Sequence, residues 1–303
     1  MKRQKIFVTS TVDGTEQPSY LVLPSAFDPN AARLPLVVSL HTWSDGLEQR
    51  NEFLEQAVLS RGWLYLFPHF RGRNDHPEAL GSELAQQDIL DATHWVCAHY
   101  PVDPGRIFLT GVSGGGHMTL LMAGRHPALW AAASAWVGIS DLAAWHASHV
   151  EDGYGEMMRQ SLGGAPGTSP EIDAEYRERS PLTHLAGAKA VALDIAAGRY
   201  DGHTGSVPIR HSLEAFNAVA TAMGAPSVSE AEIEQLSRID GHLDHPRPSD
   251  TATDASFGRA LFLRRFAGRS RVTIFDGGHE GLAEATVAWF ERQVHGSGRP
   301  RSV

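Results

Sequence analysis

One short stretch of the chain has the residues and the setting of a nucleophilic serine. Residues 111–115 read GVSGG, which matches the pattern G-x-S-x-G, with an apolar strand-like run before it and a helical pattern after it. A serine on a tight strand-to-helix turn projects its hydroxyl out of a sheet, and small neighbours let the adjoining backbones approach closely. The sequence therefore predicts that Ser113 is a nucleophile; the alternative is a glycine-rich turn that binds a phosphate.

A serine hydroxyl needs a neighbouring base before it attacks a carbonyl carbon efficiently. His279 follows the last predicted strand, 271–275, after two glycines and ahead of the last predicted helix. A glycine loop at that place allows the imidazole to reach the serine. We therefore expect His279 to be the base, the alternative being a histidine that only caps the helix.

Two aspartates could orient the histidine and stabilise its charged form. Asp201 follows the predicted strand 190–197, and Asp141 follows the predicted strand 131–139. The order serine, aspartate, histidine along the chain favours Asp201. Asp141 remains the rival acid.

The loop after the predicted strand 34–40 could stabilise a developing oxyanion. Its backbone N–H at Trp43, together with the N–H of Gly114, occupies the expected positions of two oxyanion donors. Trp43 could instead only pack over the strand end. Three further residues near these loops are candidates for substrate contact: His41, Arg71 and His117. Arg71 could equally form a structural ion pair.

Apolar runs alternate with helical patterns along the chain, which predicts βαβ units. The expected fold class is therefore α/β, with a mainly parallel central sheet and helices on both faces. We expect one domain over residues 1–303, with an N-terminal hairpin in 1–33, a cap or lid insertion over 141–185 and a second insertion over 224–268.

Composition excludes several classes of function. The net charge of −9 disfavours a nucleic-acid partner. The single cysteine, Cys97, cannot form an internal disulfide, and no apolar run is long enough for a membrane span.

We expect a cytoplasmic protein, with secretion left open if a signal has been trimmed. No cofactor and no metal are expected, since the polar stretch 240–245 lacks a recognised zinc spacing. A homo-oligomer is left open.

Several segments together resemble the catalytic domain of the prolyl oligopeptidase family, a branch of the α/β-hydrolases. The resemblance covers roughly residues 34–294 and is carried, in the family's order, by Pro68-His-Phe-Arg-Gly72, the elbow 111–117, Ser180-Pro181, Gly198-Arg-Tyr-Asp201, Val207-Pro208 and Gly277-Gly-His279. It implies the α/β-hydrolase fold and a Ser113–Asp201–His279 triad. The chain departs from the family in four respects. Five residues, 202–206, stand between Asp201 and Val207 where two are usual, and about 30 residues precede the first core strand where the large peptidases carry a propeller. The insertion 224–268 is longer than expected, and the elbow has Gly115-Gly116-His117 where the peptidases often have a tyrosine.

These residues predict a serine hydrolase that cleaves its substrate through an acyl-enzyme intermediate. A carboxylesterase acting on a small ester or a sugar ester is the first expectation. A peptidase acting on short peptides is the alternative. A non-catalytic binding protein on the same fold is the remote alternative, and the presence of serine, aspartate and histidine together argues against it.

Overall fold

The computed structural model describes residues 2–30 and 32–295, and nine strands in this part of the chain form one sheet. The strand order is β1-β2-β4-β3-β5-β6-β7-β9-β8. The strands are β1 (Lys2–Thr9), β2 (Glu16–Leu23), β3 (Leu34–Leu40), β4 (Leu64–Pro68), β5 (Val102–Val112), β6 (Ala132–Trp136), β7 (Ala192–Gly198), β8 (Leu261–Ala267) and β9 (Ser270–Phe275).

The centre of the sheet is parallel and its edges are antiparallel. Strands β4, β3, β5, β6, β7 and β9 run in one direction. The hairpin β1–β2 pairs antiparallel with β4, and β8 pairs antiparallel with β9 at the other edge. Because the carboxyl ends of parallel strands meet at one edge of a sheet, the loops after β3, β5, β7 and β9 lie together.

Helices cover both faces of the sheet, as the alternating pattern predicts. Helices α1 and α9 pack together on one face, and α2, α3 and α7 pack on the other. The helices are α1 (Glu52–Ser60), α2 (Glu83–His99), α3 (Gly114–Arg125), α4 (Leu142–Ser148), α5 (Gly153–Leu162), α6 (Pro170–Glu178), α7 (Arg210–Ala222), α8 (Glu230–Leu236) and α9 (Ala283–His295), with 3-10 turns at Pro181–Thr183 and Leu185–Ala190.

The central strands are apolar on both sides because each side faces a helical layer. In β3, Leu36 and Val38 belong to the core beneath α2 and α3, whereas Val37 belongs to the core beneath α1 and α9. All seven positions of β7 are buried. Continuous apolar runs are typical of strands covered on both faces, and they hold the loop ends in fixed positions.

The segment 224–268, expected to be an insertion, includes a strand of the central sheet. Strand β8 carries the adjacent charges Arg264 and Arg265, which made it resemble surface. Both arginines are buried and ion-paired: Arg264 lies 2.8 Å from Asp254, and Arg265 lies 2.8 Å from Glu232. Buried pairing of this kind cannot be read from a single sequence. In the expected cap, 141–185, the structure contains α4, α5 and α6.

Within the described residues, no helix combines the length and the apolar character that crossing a membrane requires. Location in the cytoplasm stays a prediction.

Candidate active site

Ser113 stands at a sharp turn between β5 and α3. Its backbone has φ 60° and ψ −117°, a left-handed conformation that costs a side-chain-bearing residue energy. The turn closes only because its neighbours lack side chains. A β-carbon at Gly111 would overlap the carbonyl group of Gly115, and one at Gly115 would overlap Leu40 O. The Ser113 hydroxyl does not cap α3, so it remains available for chemistry.

The structure brings His279 and Asp201 together. His279 Nδ1 lies 2.8 Å from Asp201 Oδ2. Asp201 is buried, and its other carboxylate oxygen accepts hydrogen bonds from the N–H groups of Gly202, at 3.0 Å, and Val207, at 3.1 Å. Three donors fix the carboxylate, and the contact with His279 directs the other ring nitrogen, Nε2, away from the acid. Asp141, the rival acid, instead caps α4 by accepting from Ala144 N–H at 3.0 Å.

The five residues 202–206 that depart from the family pattern fold around this pair. Gly205 lies against both partners: a β-carbon there would overlap Asp201 Oδ1 and would stand 2.6 Å from His279 Cβ. The longer loop therefore keeps the acid in place, and it requires glycine at position 205.

The histidine loop also packs against the strand that carries the nucleophile. A β-carbon at Gly281 would lie 2.6 Å from Val112 Cγ2, and Val112 precedes Ser113. In the part of the chain that the structure describes, no hydrogen bond joins Ser113 Oγ to His279. Hydrogen bonds between catalytic groups are often long without substrate, and the contact between these two residues belongs to the proposal below.

Trp43 and Gly114 have adjacent backbones. A β-carbon at Gly114 would overlap Trp43 N and would lie 2.6 Å from Trp43 Cα. Within residues 2–30 and 32–295, neither the Trp43 N–H nor the Gly114 N–H donates a hydrogen bond. Gly114 begins α3, where backbone N–H groups lack helical partners and favour negative charge. Two free donors side by side next to a serine suit an oxyanion.

Polar side chains hold the Trp43 loop in this shape. Gln49 Oε1 accepts from Thr42 N–H at 2.8 Å, and Gln49 Nε2 donates to Thr42 Oγ1 at 2.8 Å. Asn74 N–H donates to Trp43 O at 3.1 Å. The Thr42 N–H and the Trp43 carbonyl are therefore both hydrogen-bonded. These bonds hold the loop in place and fix the direction of the Trp43 N–H.

The segment 141–185, expected to be a cap, contacts two loops of the candidate site through Trp145 of α4. Its ring packs edge-on against Trp43, with centroids 4.5 Å apart. Its Nε1–H donates to Ser206 O at 2.8 Å, and His149 Nε2 lies 2.8 Å from the same oxygen. Trp145 therefore connects the loop after Asp201 to the loop that carries Trp43.

The side chains proposed as substrate contacts have internal partners instead. The buried ring of His41 stacks on Phe70 at 3.8 Å, and its nitrogens face Thr42 O and His69 O. Arg71 forms ion pairs with Asp88, at 2.6 Å, and Asp13, at 2.7 Å. These are structural ion pairs, which were the alternative to a substrate contact.

His117, in the first turns of α3, packs against the loop that carries Trp43. It is buried, it lies 2.9 Å from Arg179 O through Nε2, and it packs edge-on against Trp43 at 6.1 Å. Burial lowers its pKa to about 4, so its ring is neutral at pH 7. Position in the chain indicated the loops on which these residues lie, whereas the direction of each side chain depends on packing.

Sequence reasoning missed Gly205, Gln49 and Trp145. The glycine within an unusually long loop after the acid was an available signal for the first. Gln49 and Trp145 act through contacts between distant segments, for which a single sequence gives no signal.

No group of three or more histidine, cysteine, aspartate or glutamate side chains in the described chain could hold a metal ion. The stretch 240–245 is a polar loop in which His242 lies against Asp240 O and Asp244 accepts from Gln235.

Comparison with known proteins adds a family match that covers Ser113, Gly114 and Asp201 and leaves Trp43 and His279 outside the matched range. The family model described as the prolyl oligopeptidase family matches residues 51–229, which is more than half of the chain. Among curated proteins, acetylxylan esterase A of Aspergillus awamori is 30% identical over 120 residues, or 40% of this chain and 32% of that protein. Acetylxylan esterase A of Emericella nidulans is 25% identical over 166 residues, or 55% of this chain and 46% of that protein. The chain thus matches less than half the length of these relatives.

Solved structures share the fold. An acylaminoacyl peptidase of Pyrococcus horikoshii superposes with a TM-score of 0.61 at 22% identity, over 74% of this chain and 35% of that one. Oligopeptidase B of Leishmania major superposes with a TM-score of 0.63 at 12% identity, over 97% of this chain and 36% of that one. At such identities the likeness shows the α/β-hydrolase fold alone.

Proposed function

The chain belongs to the prolyl oligopeptidase family. We propose that it is a serine hydrolase, and within that class a carboxylesterase that uses Ser113, His279 and Asp201 as its triad. One observation carries the proposal. The hydrogen-bonded pair Asp201–His279 and the two unpartnered N–H groups of Trp43 and Gly114 lie on loops at the same sheet edge as the strained Ser113 turn.

In the first half of the proposed reaction, Ser113 Oγ attacks the ester carbonyl carbon while His279 Nε2 takes the hydroxyl proton. The carbonyl oxygen becomes an oxyanion that accepts from the N–H groups of Trp43 and Gly114. Removal of one such donor typically lowers kcat about 100- to 1,000-fold. The proton on His279 then passes to the leaving alcohol as the carbon–oxygen bond breaks, and Ser113 is left acylated.

In the second half, His279 takes a proton from water, and the resulting hydroxide attacks the acyl carbon. Collapse of the second tetrahedral intermediate returns the proton to Ser113 and releases the acid. Asp201 orients the imidazole and stabilises its charged form in both halves. None of these steps requires a cofactor.

Two features support a small acyl group on a sugar or other small ester. The curated relatives are acetylxylan esterases, which bring sugar acetates to this chain as a proposal. Trp43 and Trp145, both 1% exposed, pack against each other at the loop that carries the Trp43 N–H. A compact acyl group such as acetyl fits a site walled by packed aromatic rings. The description of the family favours the second candidate, a peptidase acting on short peptides.

A paired rate assay distinguishes the two candidates. We expect 4-nitrophenyl acetate to be hydrolysed quickly, peptidyl anilides not to be cleaved, and ester hydrolysis to be lost in Ser113→Ala. Anilide cleavage with comparable kcat/KM would establish the peptidase. Ester turnover that persists in Ser113→Ala would exclude the mechanism.

A further inference from the structure

A hollow of about 450 Å³ lies beside the proposed site, on the face of the sheet that carries α1 and α9. Three of its wall residues are close chain neighbours of site residues: Thr42 precedes Trp43, Val112 precedes Ser113, and Gly281 follows two residues after His279. The hollow borders the proposed site through these neighbours, and Ser113 and His279 themselves do not line it. A hollow of this size falls in the range of roughly 300–1,000 Å³ that is usual for small-molecule sites.

A second hollow, of about 680 Å³, continues from the first. The two share Asn51, Phe53 and residues 281–283, and the second extends to the loop 255–259. Together they form one channel between the start of α1 and the start of α9, which we call the α1–α9 groove. The groove extends from the chain neighbours of Trp43, Ser113 and His279 to the loop 255–259, a span that can hold a ligand longer than a simple alcohol.

Phe53 stands where the two hollows meet. Its side chain is 81% exposed, the most exposed of the large apolar side chains in the described chain, and it forms no aromatic contact there. Asn51 precedes it at the cap of α1, and Gln56 lies one turn further along the helix, on the same face. An open ring with amide groups on either side offers one flat apolar surface and several hydrogen-bonding groups.

The charged side chains of the groove are paired. Arg50 lies 3.0 Å from Glu52, Arg259 lies 2.5 Å from Glu280, and Glu284 lies 3.0 Å from Arg61. A groove with balanced, internally paired charge selects neither an anion nor a cation. A neutral ligand with hydroxyl groups for the amides and an apolar face for Phe53 would match this lining.

A pyranose ring has this chemistry, because one face of the ring presents C–H groups and the rim presents hydroxyls. We propose that the α1–α9 groove binds the alcohol part of the substrate, a neutral oligosaccharide chain, with Phe53 stacked on one of its sugar rings. The inference rests on the proposed esterase function and adds the substrate class and the surface that recognises it.

The test compares Phe53→Ala with Phe7→Ala, a change at an exposed phenylalanine on β1 outside the groove. We expect Phe53→Ala to lower kcat/KM for acetylated xylo-oligosaccharides about tenfold more than for 4-nitrophenyl acetate, with the loss in KM. Phe53→Trp should restore the value, and Phe7→Ala should match the wild type on both substrates. Equal values for Phe53→Ala and Phe7→Ala on the oligosaccharide would overturn the inference.

A binding measurement keeps the inference testable without turnover. Ser113→Ala protein is titrated with unacetylated xylo-oligosaccharides and cello-oligosaccharides by calorimetry, with and without Phe53→Ala. We expect binding that strengthens with chain length and weakens in Phe53→Ala. Absence of binding to both series would overturn the groove proposal, whereas failure of the wild type to hydrolyse 4-nitrophenyl acetate would overturn the esterase proposal alone.

Discussion

Gly114 and Trp43 meet backbone to backbone: a β-carbon on Gly114 would overlap Trp43 N and lie 2.6 Å from Trp43 Cα. The contact joins the start of α3 to the loop after β3, two segments about 70 residues apart in the chain. It places side by side, next to Ser113, two N–H groups that have no hydrogen-bond partner among the described residues. The proposed oxyanion site thus depends on the absence of one side chain.

Replacement of Gly114 by alanine should therefore separate the two donors. We expect kcat to fall about 100-fold or more while the protein still folds, because the added methyl group displaces Trp43. The measurement is kcat for 4-nitrophenyl acetate together with the thermal unfolding midpoint. Gly153→Ala is the control, since nothing lies within 4 Å of a β-carbon at Gly153. A kcat within threefold of the wild type in Gly114→Ala would place the oxyanion elsewhere.

Asp201→Asn tests the acid. Asparagine can still accept from Val207 N–H, but it does not hold the imidazole in the required tautomer or stabilise its charge, and we expect kcat to fall about 10⁴-fold. Asp141→Asn is the matched control, because asparagine caps a helix as well as aspartate. If the two variants exchange these outcomes, Asp141 is the acid.

Trp145→Phe tests whether the cap positions the acid loop. The change removes the donor to Ser206 O but keeps an aromatic ring against Trp43. Loss of one hydrogen bond, about 1 kcal/mol, should lower kcat roughly fivefold with KM unchanged. Trp95→Phe, on α2 and outside the site, is the comparison. A fall in thermal stability with no change in kcat would assign Trp145 a purely structural role.

Acid should destabilise the protein through its buried histidines. Burial lowers the pKa of His41, His117 and His211 to about 4 each, against about 6.5 in an unfolded chain. Between these values the unfolded chain binds more protons than the folded one, so the free energy of unfolding falls as the pH is lowered from about 6.5 to about 4. Urea unfolding at a series of pH values measures the effect, which should amount to a few kcal/mol in order of magnitude.

His117→Gln should make this pH dependence shallower, since it removes one of the three groups. His99→Gln, at an exposed position on α2, serves as the comparison. An unchanged slope in His117→Gln would mean that His117 takes up its proton as readily in the folded protein as in the unfolded chain.

The sequence identified the elements and loop positions better than the side-chain directions. The α/β order of strands and helices follows from runs such as Leu34–Leu40, whose apolar character requires cover on both faces. The elbow follows from glycines that the backbone contacts require. Strand β8 was not predicted, because its arginines pair with acids 10 and 33 positions earlier and this pairing is visible only in the structure. His41 was expected to contact substrate, whereas packing stacks its ring on Phe70.

The pair formed by Asp201 and His279 shows where sequence and structure complement each other. The position of each residue after a strand predicted the pair, and the 2.8 Å contact is what the structure adds. The contribution of Gly205 is visible only in the structure. Its missing side chain leaves room for Asp201 and His279, which are 78 positions apart in the chain, to meet.

Active-site labelling tests the central claim most directly. Wild-type protein is treated with a fluorophosphonate, digested and mapped by mass spectrometry, with Ser113→Ala and His279→Gln treated in parallel. The account predicts one phosphonylated residue, Ser113, no labelling in Ser113→Ala, and labelling slowed by orders of magnitude in His279→Gln. Labelling at another serine, or at Ser113 with an unchanged rate in His279→Gln, would contradict the account.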